Sequence, residues 1–304
     1  MSIYGVGNYL KEYRKKAGLS QEELAEGICN ASNLSRIETG SQMPTRRTYE
    51  ALMQKLGQNV SLFSSFSTHR EMEFYRLENQ IGEKLADQNT DGLRGLYDRM
   101  KVLADPREDL EQQYMLYVDA LIRNLEGEGA VAVLPQLMEA LHVTRKNGDP
   151  ENPREMKLLT FQEINLLNNI AVAYWRGGEK EKGMNLMLYL KEYMEEHLVD
   201  EKEKGGHYPM VLFNLSKWLL QLERPGEALE MALAGVKACN RYGKLLAFPK
   251  VLIAKADALR CLGREKEAIQ VYRQVFYLSQ AMENQERAAR MQKILSEQYG
   301  IIVE

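Results

Sequence analysis

The sequence predicts an all-α protein in two parts: five short helices over residues 1–69 and a stack of helical hairpins over 70–304. Three observations carry this expectation. Apolar residues recur at helical spacing along the chain, and no stretch shows the period-two alternation of a half-buried strand. The first seventy residues hold two short, well-capped helices joined by a tight turn. Downstream, one ten-residue pattern appears three times, at intervals of 45 and then 40 residues.

The N-terminal helices follow from their punctuation. Tyr9, Leu10 and Tyr13 give the first an apolar face, and Gly18 ends it just past the last turn, where glycine is favoured. Ser20 is placed to cap the second, with Glu23 three residues on completing a capping box. Leu24 and Ala25 face inward, and this helix runs to about Gly27. Asn30 caps the third, whose buried side carries Leu34 and Ile37 and which Gly40 stops. Pro44 and Thr45 start a fourth, which buries Tyr49, Leu52, Met53 and Leu56.

The third helix is the candidate reader of DNA. With Leu34 and Ile37 toward the core, helical rotation turns Ser32, Ser35 and Arg36 outward and leaves Ala31 and Asn33 on the flanks. Small polar residues and one arginine can enter between base edges, where bulky or acidic side chains would clash or repel. Arg36 can pair bidentately with guanine, and the Ala31 methyl can touch that of thymine. Residues 1–69 hold eight Lys/Arg against six Asp/Glu, a net +2, while the remainder carries −5. The positive excess lies where a phosphate backbone would sit.

Over residues 5–60 these features resemble the helix-turn-helix domain of the phage-repressor and Xre class. The Gly27-Ile28-Cys29-Asn30 turn is one residue shorter than the usual form, and in this it resembles the PlcR-type, peptide-responsive regulators of Gram-positive bacteria. The resemblance implies that Ser20 and Gln21 anchor the second helix on phosphate. It implies that Ala31, Ser32 and Arg36 read bases, with Asn33 beside them, and that Arg46 and Arg47 in the first turn of the fourth helix hold the backbone. It also implies that Arg14 and Glu38 pair with each other between helices and stay out of the site. The plainer alternatives are solvated arginines at 46 and 47, and a unit of this shape that does not bind DNA.

Beyond residue 70, eleven helices are expected, at about 71–88, 91–104, 108–126, 128–147, 154–177, 179–197, 206–223, 225–242, 246–262, 265–283 and 285–299. The segment from Tyr174 to Gly183 recurs as Leu219 to Ala228 and again as Leu259 to Ala268. This looks like tetratricopeptide repeats slightly longer than usual. Gly183, Ala228 and Ala268 let the two helices of a hairpin approach, and Leu186, Met231 and Val271 fill the gap. Residues 107–147 form a weaker copy, residues 71–104 a first hairpin, and 285–300 a polar capping helix. The full expectation is a five-helix helix-turn-helix domain followed by a tetratricopeptide-like α-solenoid.

First helices of such repeats line a concave groove. Aligned copies put Asn165, Asn168, Asn169, Val172 and Arg176 on it in one repeat. Phe213, Asn214, Lys217 and Gln221 follow in the next, then Lys250, Asp257 and Arg260. An Asn offers a donor and an acceptor and can clasp the main chain of an extended peptide, while Lys and Arg can take a carboxylate. The alternative is that these Asn side chains bond neighbouring hairpins. Trp175, Trp218 and the many Tyr and Met residues read as core.

Other chemistry is not indicated. The four histidines lack partners at metal-ligand spacing, and three scattered cysteines suggest neither disulfides nor zinc. No nucleophile–base arrangement, phosphate loop or dinucleotide fingerprint stands out, so no cofactor and no enzymatic activity are expected. There is no apolar run of membrane-span length, and the first residues lack a secretory signal, so a cytoplasmic location is expected. The resemblance to the PlcR, Rgg and PrgX family implies a homodimeric transcription regulator whose grip on a double-stranded operator is set by a short signalling peptide. Two alternatives stay open: a repeat scaffold that sequesters a protein partner, and a phage-type repressor not controlled by peptide.

Overall fold

The computed structural model describes residues 3–58, 68–197 and 201–302, and among them every regular element is helical. The first four helices are α1 (Ile3–Lys16), α2 (Gln21–Ala25), α3 (Ala31–Glu38) and α4 (Arg46–Lys55). A fifth helix is expected before residue 70, where residues 59–67 lie outside the described residues. The Ser20 hydroxyl accepts from the Glu23 amide at 3.1 Å, and the Glu23 carboxylate accepts from the Ser20 amide at 2.7 Å. Asn30 caps α3 through the Asn33 amide at 2.7 Å, and Thr45 caps α4 through Thr48 at 3.2 Å. These local bonds satisfy helix-start amides that would otherwise be orphaned.

Leu10, Leu24, Leu34, Ile37, Leu52 and Met53 pack into one core with Val6, Ile28, Tyr49 and Leu56. Leu110, from a helix well beyond the N-terminal domain, completes it. The close pass of α1 over α3 depends on Gly7. A Cβ there would lie 2.1 Å from the Ile37 carbonyl oxygen and 2.9 Å from that of Glu38.

The body consists of α5 (His69–Ala86), α6 (Leu93–Leu103), α7 (Asp109–Leu125), α8 (Leu134–Thr144), α9 (Phe161–Arg176), α10 (Lys180–Glu196), α11 (Glu201–Gln221), α12 (Pro225–Tyr242), α13 (Phe248–Cys261), α14 (Glu265–Ala281) and α15 (Gln285–Tyr299). All eleven expected helices are present among the described residues, and two begin well after the position the sequence suggested. The helix expected from 128 begins at Leu134, because turns occupy the residues after Leu125. The one expected from 154 begins at Phe161, because Pro153 opens a 3-10 turn and Thr160 with Glu163 builds a capping box. No helix among the described residues is long and apolar enough to cross a membrane.

The chain divides into two compact units, residues 1–189 with 196–200, and 190–195 with 201–304. The first unit joins α1–α4 to the hairpins α5–α6 and α7–α8, α9 and the start of α10. Gly183 has the small-residue role expected of it, since a Cβ would lie 2.8 Å from the Ala171 oxygen and 3.0 Å from the Trp175 nitrogen. In the second unit, Ala228 and Ala268 are fully buried, and the Ser216 hydroxyl donates to the Ala228 carbonyl at 2.8 Å. Leu186 and Val271 are buried as expected, while Met231 is half-buried. Trp175 and Trp218 are core residues. The last helix, α15, buries Ala288, Met291 and Leu295 and turns a polar face outward.

Gly7→Ala is expected to destabilise the protein by at least about 1–3 kcal/mol, since backbone atoms must move to admit the methyl. Gly82→Ala and Gly95→Ala, in helices where nothing lies within 4 Å of the added carbon, are expected to gain about 0.5–1 kcal/mol. Urea midpoints of the three variants check this, and a neutral Gly7→Ala would refute the close approach.

Candidate functional sites

On α3, Ser32 and Arg36 are exposed, while Ala31, Asn33 and Ser35 are half-buried at the edges of the same face. Arg36 Nη2 donates to Asn33 Oδ1 at 2.8 Å, which lays the guanidinium along the helix surface. The other side of α3 is pinned. Glu38 accepts from Arg14 Nε at 2.6 Å, Arg14 Nη2 at 2.9 Å and Gln21 Nε2 at 2.8 Å. Burial pushes the Glu38 carboxyl up, but the bonds from Arg14 and Gln21 outweigh it and hold the group below the usual range. The pair implied for Arg14 and Glu38 is therefore formed. Gln21 uses its amide to tie α2 to α3, and Ser20 is exposed at the cap.

Arg46 and Arg47 sit differently from the expected exposed position. Arg46 Nε pairs with Glu50 at 2.6 Å, its guanidinium lies 3.8 Å from the Tyr75 ring centre, and its backbone amide donates to Glu71 at 3.1 Å. Arg47 Nη2 pairs with Glu78 at 2.7 Å and lies 4.6 Å from the Tyr114 ring centre and 5.1 Å from that of Phe74. Only about a fifth of each arginine side chain is exposed, at 20% and 21%. Glu71, Phe74, Tyr75 and Glu78 fall on one face of α5, and this acidic and aromatic stripe draws both cations in. That spacing was present in the sequence and is the signal that finds the contact.

A second cluster, missed in the sequence, joins the turn before α3 to the body. Arg145 Nε donates to Glu163 Oε1 at 2.7 Å, with the side chains 3% and 1% exposed. Glu163 also accepts from the Thr160 amide at 2.8 Å and the Thr144 hydroxyl at 3.3 Å. Arg145 donates to the Leu158 carbonyl as well and lies 3.7 Å from the Glu26 carboxylate. Gly27 takes a positive φ of 70°, and a Cβ there would lie 3.2 Å from both Arg145 Nε and Glu163 Oε1. The buried Lys55 ammonium donates to the Glu26 carbonyl, and Gln54 Oε1 accepts from the Phe161 amide at 3.2 Å. Burial lowers Lys55 from its ordinary 10.5 to about 8 and raises the Cys29 thiol beside it from 9.0 to about 11. A polar cavity of about 540 Å³ runs along this seam between residues 26–30 and 143–148. A smaller one, about 260 Å³, separates Asn30 and Asn33 from Arg107, Glu108 and Asp109.

The residues expected in the repeat groove fall into both compact units. In the first, Asn165, Asn168, Asn169 and Val172 are half-buried along α9 and Arg176 is exposed at its end. Asn169 Nδ2 donates to the Asn165 carbonyl at 2.9 Å and to the Tyr117 hydroxyl at 3.3 Å, so this side chain does bond the neighbouring hairpin. In the second unit, Lys217, Gln221, Asp257 and Arg260 come together with Leu220 and Cys261 around a hollow of about 210 Å³. Lys217 Nζ lies 3.9 Å from Asp257, which accepts from the Tyr272 hydroxyl at 2.6 Å. Phe213 and Asn214 lie earlier on α11 and Lys250 earlier on α13, all half-buried. Among the described residues, no three His, Cys, Asp or Glu side chains are grouped to hold a metal ion.

Residues 6–63 match the model of a helix-turn-helix domain family. No curated protein sequence matches the chain. Among solved structures, the chain is similar to PlcR of Bacillus thuringiensis in complex with the peptide PapR7 and DNA. The TM-score is 0.62 and the identity 18%, over 95% of this chain and 99% of that one. It is also similar to ComR from S. thermophilus in complex with DNA and its signalling peptide ComS, with a TM-score of 0.53 and 15% identity over 94% and 97% of the two chains. The apo competence regulator ComR of Streptococcus vestibularis matches with a TM-score of 0.53 and 15% identity over 97% and 98%. The fold resemblance expected from the short turn thus extends over nearly the whole chain.

Lys55 sets a pH dependence with a definite sign. Below about pH 8 it is charged in both folded and unfolded chains, and folding bears the full cost of burying the ammonium. Between about 8 and 10.5 the unfolded chain binds the extra proton, so this group makes stability rise with pH. Cys29 contributes the opposite slope between 9.0 and about 11, since its folded form holds the proton longer. The wild type is therefore expected to gain roughly 1–3 kcal/mol on Lys55→Met between pH 8 and 10. Parallel stability curves for the two proteins would refute it.

Proposed function

We propose that this chain is a cytoplasmic transcription regulator that reads a double-stranded operator with α3 and whose affinity is set by a short signalling peptide held along the first helices of the repeats. Ser32 and Arg36 are the central base contacts, with Ala31, Asn33 and Ser35 beside them and the Ser20 end of α2 on phosphate. Gln21, Arg46 and Arg47 act mainly by fixing α2 and α4, as their internal bonds suggest. The observation that carries the reading is the exposed polar face of α3, in a segment matched to helix-turn-helix domains, on a chain whose solved structural neighbours include complexes with DNA and peptide. No enzymatic step belongs to it.

One helix-turn-helix binds weakly, so the reading includes a homodimer that places two recognition helices one DNA turn apart, about 34 Å. A peptide changes operator affinity only by binding two arrangements of the protein unequally. The residues assigned to it are Asn165, Asn168, Asn169, Val172 and Arg176 in the first unit, and Phe213, Asn214, Lys217, Gln221, Lys250, Asp257 and Arg260 in the second.

Fluorescence anisotropy with the gene's own upstream duplex, at near-physiological salt, tests both halves. Arg36→Ala is expected to lose about 1–3 kcal/mol of specific affinity with an unchanged helical signal. Peptides encoded beside the gene are expected to shift the wild-type affinity severalfold. Equal affinity for operator and random duplex, falling steeply with salt, would favour the partner-binding scaffold instead.

A further inference from the structure

Ser32 and Arg36 form the exposed centre of α3, and helical rotation puts Ala31 and Ser35 on one flank of it and Asn33 on the other. The Gln21 bond to Glu38 places the start of α2 on the Ala31 and Ser35 side. A helix seated in a major groove about 12 Å wide has a phosphate strand along each flank. On the Asn33 side, that residue shares a hollow of about 260 Å³ with Gln42 and Thr45, so the start of α4 borders this flank. Arg46 and Arg47, which follow Thr45, are turned onto α5 with only 20% and 21% of their side chains exposed. The first turn of α4 therefore offers that strand neither of its cations.

The far wall of the same hollow is the loop between α6 and α7, through Arg107, Glu108 and Asp109. The Arg107 side chain is 86% exposed. Asp105 accepts from its Nε at 3.0 Å and from its Nη2 at 2.8 Å, which orients the guanidinium, while Nη1 has no partner among the described residues. A guanidinium has five donors in a planar fork, so one edge can hold a carboxylate while the other takes a phosphate oxygen. Of the two carboxylates beside it, Glu108 is half-buried, and Asp109 also borders the larger cavity at residues 26–30, which Arg107 does not.

We propose that Arg107 is a DNA contact supplied by the body, holding the phosphate strand on the Asn33 flank of α3 in the place that Arg46 and Arg47 leave empty. Arg107 lies outside the residues expected from sequence, because the loop that carries it meets α3 only in the folded chain. The proposal deepens the DNA-reading function and rests on it for the seating of α3 in a groove. A phosphate contact carries no base preference, so it fails on a different measurement from base reading.

The test titrates full-length protein with the gene's own upstream duplex and with a random duplex of equal length, each over a series of salt concentrations. Arg107→Ala is expected to weaken both complexes by a similar factor, roughly three- to tenfold near physiological salt. Its plot of log affinity against log salt is expected to be shallower by about one per bound protomer. Arg290→Ala removes the same charge from an exposed position on α15 and is expected to leave both quantities unchanged. Arg107→Gln gives the same reading should the alanine variant fail to fold. An unchanged salt slope, a loss confined to the upstream duplex, or an equal loss in Arg290→Ala would overturn the contact. A wild type that does not prefer its own upstream duplex strikes base reading instead, and the slope of Arg107→Ala still decides the phosphate contact.

Discussion

The buried pair of Arg145 and Glu163 is the contact around which the first unit is organised. Two charges this deep are costly to desolvate, and they are tolerated only when nearly every lone pair and proton is used. Glu163 meets that condition by accepting from Arg145, Thr144 and its own helix start at Thr160. Losing either partner would leave an uncompensated charge, a penalty of about 3–5 kcal/mol. The consequence reaches the helix-turn-helix domain because Gly27 and Glu26, in the turn before α3, rest on the same pair. The short turn is thus a fitted surface as well as a connector, since a Cβ at residue 27 would crowd Arg145 and Glu163 at 3.2 Å and the positive φ there disfavours any side chain. Leu110 in the N-terminal core and Lys55 on the Glu26 carbonyl close the same seam.

A second set of contacts acts from the other side. Arg46 and Arg47 lie on the acidic and aromatic stripe of α5, so α4 is held by charge, ring faces and burial together. With α4 held by α5, and the turn before α3 by α8 and α9, α3 has an orientation set by the first hairpins rather than by a tether. A change of shape in those hairpins would therefore be transmitted to the face carrying Ser32 and Arg36. In the second unit the small residues Ala228 on α12 and Ala268 on α14 are fully buried, and Lys217, Asp257 and Arg260 gather around one hollow.

What was legible in the sequence was local or repeated. The Ser20–Glu23 box, the Asn30 cap and the glycine at 40 act within a few residues, and the repeat turns recur three times, so each could be read without partners. Arg14 and Glu38 were legible because the resemblance implied them. The seam was not: Gln54 and Phe161 are 107 positions apart, and Lys55, Arg145 and Glu163 look like ordinary surface charges until the chain folds. α4 alone would leave Arg46 and Arg47 in solvent, and the stripe on α5 overrides that. Asn169 shows the limit of groove reading, since its amide already holds Tyr117 and Asn165.

The body grips the helix-turn-helix domain through the Arg145 and Glu163 seam, and native-state hydrogen exchange tests that grip most directly. In Arg145→Met, amides of residues 26–30 and 158–163 should lose protection by one to several orders of magnitude, in line with an uncompensated buried carboxylate, while α12 to α15 stay as protected as in the wild type. Unchanged protection at 26–30 would contradict the account.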